Sequence, residues 1–167
     1  MKTITLNLYS FKELSEAAQK RALNDLSDIN TDSNHWYQFM LDDYKSIGLE
    51  IDSFDVEQGQ IKGEFITNAE DFADSAVRHF AAGPMHIICA NFLKELKTLT
   101  DDNYIGETLA FKNSVLRMVL KDLHEQYEHL TTREAITETI EANDYLFTDD
   151  GKLIPAKWYE LVQPQTF

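Results

Sequence analysis

Leu49-Glu50-Ile51-Asp52-Ser53-Phe54-Asp55-Val56, then Glu57-Gln58-Gly59-Gln60, then Ile61-Lys62-Gly63-Glu64-Phe65-Ile66, is the stretch whose reading decides the fold. Two runs rich in aliphatic and aromatic residues flank a short polar segment that holds a glycine, the pattern of a β-hairpin. Apolar residues alternate with polar ones along the runs, so one face is to be buried and the other left in water. The inward parity slips between Ile51 and Phe54, which predicts a bulge or bend in the first strand. Asp52, Asp55 and Glu57 cannot all share one face. Part of their charge is therefore expected at an edge, where acidic side chains discourage the addition of another strand.

On the N-terminal side, Trp36, Met40, Tyr44 and Ile47 recur at helical spacing and predict a helix from about Ser33 to Ser46, with Gly48 placed to end it. Asp42 and Asp43 fall late in this helix, where the dipole disfavours each carboxylate by about 0.3–1 kcal/mol. Lys45 is the only local compensation. Further back, Thr3 to Tyr9 alternates Ile4, Leu6 and Leu8 against Thr3, Thr5, Asn7 and Tyr9, the pattern of a half-buried strand. Ser10-Phe11-Lys12-Glu13 has the spacing of a capping box, and Ser15 offers a second cap. Leu14, Ala18, Ala22, Leu26 and Ile29 then give a narrow apolar helical face.

On the C-terminal side, Asn68 is a candidate N-cap, followed by Phe72, Ala76, Val77 and Phe80 on one face. Gly83-Pro84 closes that helix and opens another, with Met85, Ile88, Phe92, Leu96 and Leu99 as its stripe. Thr100 to Asn103 reads as a loop. The longest helix is expected from about Tyr104 or Thr108 to Leu130, with Leu116, Leu120, Leu123, Tyr127 and Leu130 as its seam. Thr131-Thr132-Arg133-Glu134 repeats the capping-box spacing ahead of Ile136 and Ile140. Asp149-Asp150-Gly151, between Tyr145-Leu146-Phe147-Thr148 and Lys152-Leu153-Ile154, signals a late hairpin with positive φ at Gly151. The sequence thus predicts an α+β fold in one domain spanning residues 1–167. Its small antiparallel sheet has three or more strands (Thr3–Tyr9, Leu49–Val56 and Ile61–Ile66), covered by five or six helices, with the late hairpin beyond.

The charge is uneven. Asn24 to Asp74 holds thirteen carboxylates against Lys45 and Lys62, a balance of −11 in a chain of net charge −14. Such a field disfavours nucleic acid or anionic lipid as a direct ligand and favours a partner with a basic surface. The single cysteine, Cys89, excludes an internal disulfide framework and fits a reducing cytoplasm. The opening residues lack the apolar run of a signal peptide, and no run nears the roughly 20 apolar residues of a membrane span. The expected location is cytoplasmic, in a bacterial host.

Three segments resemble a family of small phage-borne proteins, some of which are labelled antitoxin of a toxin–antitoxin stability system. Tyr9-Ser10-Phe11-Lys12-Glu13-Leu14-Ser15-Glu16-Ala17-Ala18 is similar to its opening, and Phe54 to Phe65 looks like its middle strand pair. Ile136 to Lys152 is similar to its closing helix and hairpin. The resemblance implies a phage or prophage origin and brings no catalytic residues with it.

Other chemistry has weaker signals. His79, His86 and Cys89 are three donors where a closed zinc site needs four. His124-Glu125-x-x-Glu128-His129 departs from the H-E-x-x-H order that sets two ligands on one turn. Asp149-Asp150-Gly151 lacks the further carboxylates of a calcium loop. No Gly-rich phosphate loop or G-x-S-x-G is present. No metal and no cofactor is therefore expected. The expected function is non-enzymatic: binding and neutralising a bacterial protein with a basic surface, a defence factor or toxin, through Asp42, Asp43, Asp52, Asp55, Glu57 and Tyr37. The alternatives are a nucleic-acid mimic that occupies a host nuclease or regulator, and a small metal-dependent enzyme built on the His/Cys or His/Glu groups.

Overall fold

The computed structural model describes residues 6–33 and 35–155. In chain order its elements are β1 (Tyr9–Ser10), a 3-10 turn (Phe11–Glu13), α1 (Glu16–Asp25), α2 (His35–Ser46), β2 (Leu49–Asp55), β3 (Gln60–Phe65), α3 (Ala69–His79), α4 (Pro84–Leu96), α5 (Asp101–Leu130), α6 (Arg133–Ala142) and β4 (Leu146–Phe147). The fold is α+β, with two separate two-stranded antiparallel sheets, β1–β4 and β2–β3, among the described residues. The chain divides into two compact units, Met1–Ser33 with His129–Phe167, and Asn34–Glu128.

In the 34–128 unit the hairpin forms as its sequence predicts. Leu49 faces Phe65 and Asp55 faces Gln60, and the register shifts between Ile51 and Ser53. Asp52 is the extra residue of that bulge, which accounts for the parity slip. Gly48, at φ +103°, ends α2, and its carbonyl accepts from the Ile66 amide at 2.8 Å. The core is carried by Leu49, Phe72, Ala73, Ala76, Cys89, Val115, Val119 and Leu123, all fully buried. Phe92 and Phe111 lie flat on one another with ring centres 3.9 Å apart, and Phe65 stacks on both Phe72 and Phe111. Each Leu or Phe removed from water in this way contributes about 1.5–3 kcal/mol.

Two expectations for α5 are corrected. The helix begins at Asp101 rather than at Tyr104 or Thr108, because the Thr100 carbonyl already accepts from the Asn103 and Tyr104 amides. Asp101 and Asp102 then sit in the first turn, where the dipole favours carboxylates. Its buried seam is Phe111, Val115, Leu116, Val119 and Leu123, while Leu120 and Tyr127 are only half-buried.

In the other unit the Ser10–Glu13 box forms. The Glu13 carboxylate accepts from both the amide and the hydroxyl of Ser10, which holds its carboxyl below the usual range. The box opens only the 3-10 turn, and Ser15 caps α1 by accepting from the Ala18 amide. Gln19 Nε2 donates to the carbonyls of Phe11 and Leu14 and ties the two pieces together. Leu14, ahead of α1, and Ala18 and Ala22 of α1 pack with Ile136 and Ile140 of α6 and with Phe11 and Phe147. The cap of α6 is Thr132, which accepts from the Ala135 amide, one residue later than the box spacing implies.

The three-stranded sheet is not formed. Tyr9 pairs with Phe147 and Ser10 with Leu146, so the N-terminal segment joins the late hairpin and not β2. That ladder ends at Ser10, where the chain enters the 3-10 turn at Phe11. Residues 6–8 of the expected first strand are not in a strand, and Leu6 is exposed. Thr3 to Thr5 lie outside the described residues. The late hairpin itself is present. Phe147 bridges Leu153, the Ile154 amide donates to the Leu146 carbonyl, and Gly151 turns the chain at φ +85°. Arg21 of α1 holds this turn through the carbonyl and carboxylate of Asp150.

Candidate functional site: an acidic helix beside a hairpin

The apolar stripe of α2 turns Tyr44 and Ile47 into the core, with Trp36 and Met40 half-buried against it. The opposite face carries His35, Phe39, Asp42 and Ser46, all exposed. At one end of the helix the rings of Trp36 and Tyr37 meet Phe54 of β2, with centres 6.2 and 4.8 Å apart. At the other, Lys45 pairs with Glu50 at 2.6 Å. The helix and β2 therefore run side by side in opposite directions. The twelve residues of α2 rise about 18 Å.

Asp42 and Asp43 are both exposed on α2. Their neighbours differ from the expected ones. Asp42 accepts from Gln38 one turn back. Asp43 lies 3.0 Å from His79 Nε2, which α3 brings across the fold. Lys45 serves Glu50 instead of either aspartate, and that carboxylate raises the Lys45 ammonium above its ordinary pKa. Asp52 stands out at the bulge, exposed. Asp55 is half-buried, and its carboxylate accepts from the Gln58 amide at 2.8 Å, so it closes the turn of the hairpin. Glu57 is exposed in that turn.

Tyr37 is the expected partner residue that fits its role least. Its ring is half-buried, edge-on to both Trp36 and Phe54. The aromatic that does stand in solvent is Phe39, 84% exposed. Its position on the helical wheel, well off the Trp36–Met40–Tyr44–Ile47 stripe, carried that signal in the sequence.

Several other titratable groups have structural partners or are buried. Tyr44 donates to the Asp122 carboxylate at 2.6 Å. Burial, then the Asp122 contact, raises the Tyr44 pKa. Burial also raises Asp122, partly offset by the Tyr44 hydroxyl. Cys89 is fully buried and its thiol is pushed up to about 12 by desolvation, which keeps it protonated and a poor nucleophile. His86 Nδ1 lies 2.7 Å from the Phe80 carbonyl, and His124 pairs with Glu128 along α5. Among the described residues no three His, Cys, Asp or Glu side chains gather as metal ligands. No described helix is long and apolar enough to cross a membrane. No protein-family model, curated protein or solved structure matches this chain.

Proposed function

We propose that this is a non-enzymatic, phage-type protein of the host cytoplasm. It binds and neutralises a bacterial protein with a basic surface, a defence factor or a toxin, through the acidic face of α2 and the adjoining strand β2. The observation that carries this reading is Phe39, a large ring left 84% exposed on the same helix as Asp42 and Asp43. Asp52 and Glu57 stand exposed on the neighbouring hairpin. An exposed aromatic gives an interface its apolar anchor, and carboxylates around it steer a basic partner in and set its orientation. The family resemblance of the opening, middle and closing segments supports the phage-type origin.

Charge density favours a protein-directed surface over imitation of nucleic acid. A duplex as long as α2, roughly 18 Å, presents about ten phosphates. Helix and hairpin offer Asp42, Asp43, Glu50, Asp52, Asp55 and Glu57, and of these Glu50 already faces Lys45 and Asp43 the His79 imidazole.

The test is reversal of Asp42, Asp43, Asp52, Asp55 and Glu57 to Lys, which takes the net charge from −14 to −4. Protection of phage in a defended host and capture of the partner from lysate at low salt are expected to fail, with the fold retained by circular dichroism. The association rate of the unmodified pair is expected to fall as salt rises, since exposed charges are screened beyond about 10 Å at ~0.1 M. Full activity in the reversed protein, with an association rate indifferent to salt, would remove this surface from the mechanism.

A further inference from the structure

The first three turns of α5 stand clear of the core. From Asp101 to Ala110 only Thr108 is even partly buried. Apolar residues nevertheless continue beyond the buried seam: Ile105 is 78% and Leu109 53% exposed. They form one wall of an open groove of about 340 Å³ whose other wall is Phe65, at the end of β3, and Ala69, at the start of α3. Ile66, next to Phe65, is 51% exposed. Exposed apolar side chains gathered along a groove and rimmed by polar groups are the setting in which partner proteins dock.

Two further observations bear on its occupant. The segments that form the groove, residues 64–71 and 101–112, hold six carboxylates and one cation, Lys112. That lysine is already bound to Glu64 at 2.7 Å. Spacing of i, i+4 places Asp101 on the same helical face as Ile105 and Leu109, with Asp102 beside it. Beneath the wall, the Thr108 hydroxyl is buried and has no hydrogen-bond partner among the described residues.

We propose that this groove docks a basic, amphipathic helical segment of a partner protein. Its apolar side chains seat between Phe65 and the Ile105–Leu109 pair, and its Lys or Arg side chains are met by Asp101, Asp102 and the acidic first turn of α3. Helices are recognised in grooves by this division of labour between apolar anchors and flanking charge. A second copy of this chain fits less well, because it brings the same carboxylate rim against itself. The inference rests on the reading that the protein acts by binding a basic partner, and it assigns that partner a second surface, away from α2.

The experiment is calorimetric titration of the full chain with a synthetic amphipathic helix of leucine and lysine. The control is a peptide of the same composition, reordered so that no apolar face forms. The ordered peptide is expected to bind one to one and the control not to. Ile105→Ser with Leu109→Ser is expected to weaken binding by about tenfold or more, and Asp101→Asn with Asp102→Asn by several fold. Asp25→Asn with Glu138→Gln, two exposed carboxylates that belong to neither surface, should leave binding unchanged. All these side chains are exposed, so unchanged melting curves confirm that the variants fold. Equal binding of both peptides, no binding of either, indifference to the groove variants, or a dimer that the groove variants dissociate would each overturn the proposal. The two surfaces are told apart by the natural partner. If the five-site reversal abolishes its binding and the groove variants do not, the α2 surface stands and the groove falls, and the converse pattern sinks α2.

Discussion

Gly151→Ala is expected to be among the most damaging single-methyl changes in the protein. At φ +85° an alanine meets the left-handed penalty, about 1–2 kcal/mol. Its Cβ would also lie 2.2 Å from the Ala18 carbonyl oxygen and 2.9 Å from its carbon. Ala18 is inside α1, so these atoms are backbone held by the helix and cannot swing aside. The hairpin must lift from α1, loosening Phe147 and Ile154, and such overpacking costs about 1–3 kcal/mol. Together the loss is about 2–5 kcal/mol. Gly59→Ala is the comparison, since Gly59 also has positive φ, +66°, but nothing within 4 Å of the added carbon. It should lose only the backbone part. Gly151→Asn separates the two causes, because asparagine tolerates the left-handed region yet keeps the clash. The assay is urea unfolding followed by circular dichroism, with amide hydrogen exchange in α1 and α6 as the local reporter. A Gly151→Ala protein no less stable than Gly59→Ala would refute the claim that the hairpin is seated on α1.

Four further outcomes follow from the 34–128 unit. Tyr44→Phe leaves the Asp122 carboxylate without its donor and is expected to cost about 1–3 kcal/mol in chemical unfolding. Because burial raises Asp122 above the ordinary 3.8, the folded state holds that proton more tightly than the unfolded state. Stability from this group is therefore full below 3.8 and falls as pH rises through the raised value. Asp122→Asn should remove that slope from a series of melting curves taken across acidic pH, and an unchanged slope would contradict the assignment. Trp36→Ala removes ring contacts to Tyr37, Phe54 and Tyr127 and should cost about 3 kcal/mol, the low end for such a truncation because the ring is only half-buried. A small melting shift would place Trp36 outside the core. Gly106→Ala, in a stretch of α5 where the new methyl meets nothing, is expected to raise stability by about 0.5–1 kcal/mol, and a loss would show that this helix needs its glycine.

Local patterns in the sequence located most elements because each carried its own chemistry. The slip at Ile51 marked the bulge, Asn68 and Ser15 are the caps they look like, and Gly48 and Gly151 take the positive φ their settings require. Partner choice was not legible. The alternation of Thr3 to Tyr9 says that a strand is possible but not which edge receives it, and the edge it finds is more than 130 residues away. Side-chain pairing failed for the same reason: Asp43 is met by His79 from another helix, invisible to any local window. In the candidate site, the carboxylates were legible as charge, but their individual duties were not. Asp55 closes a turn, and the exposed ring is Phe39 rather than Tyr37. The exposed turns of α5 were missed because their apolar spacing reads as a continuation of the seam, and only the fold shows where the covering surface ends.

The pairing of β1 with β4, and of α1 with α6, has a consequence for how the molecule is made. The ribosome delivers residues 34–128 as one uninterrupted stretch, and that unit holds all of its own core. The segment ahead of it holds Phe11, Leu14 and Ala22, whose partners Ile136, Ile140 and Phe147 emerge only after more than a hundred further residues. At about 5–20 residues per second, that is a wait on the order of ten seconds. During it, the nascent chain carries a finished acidic unit and an orphaned apolar N-terminal segment. Closing so long a loop adds little to the equilibrium cost, since the penalty grows only with the logarithm of length. It does make the N-terminal segment the natural point for a trigger chaperone or a protease to act, and makes shortening the chain before Phe147 far more harmful than its distance from the acidic unit suggests.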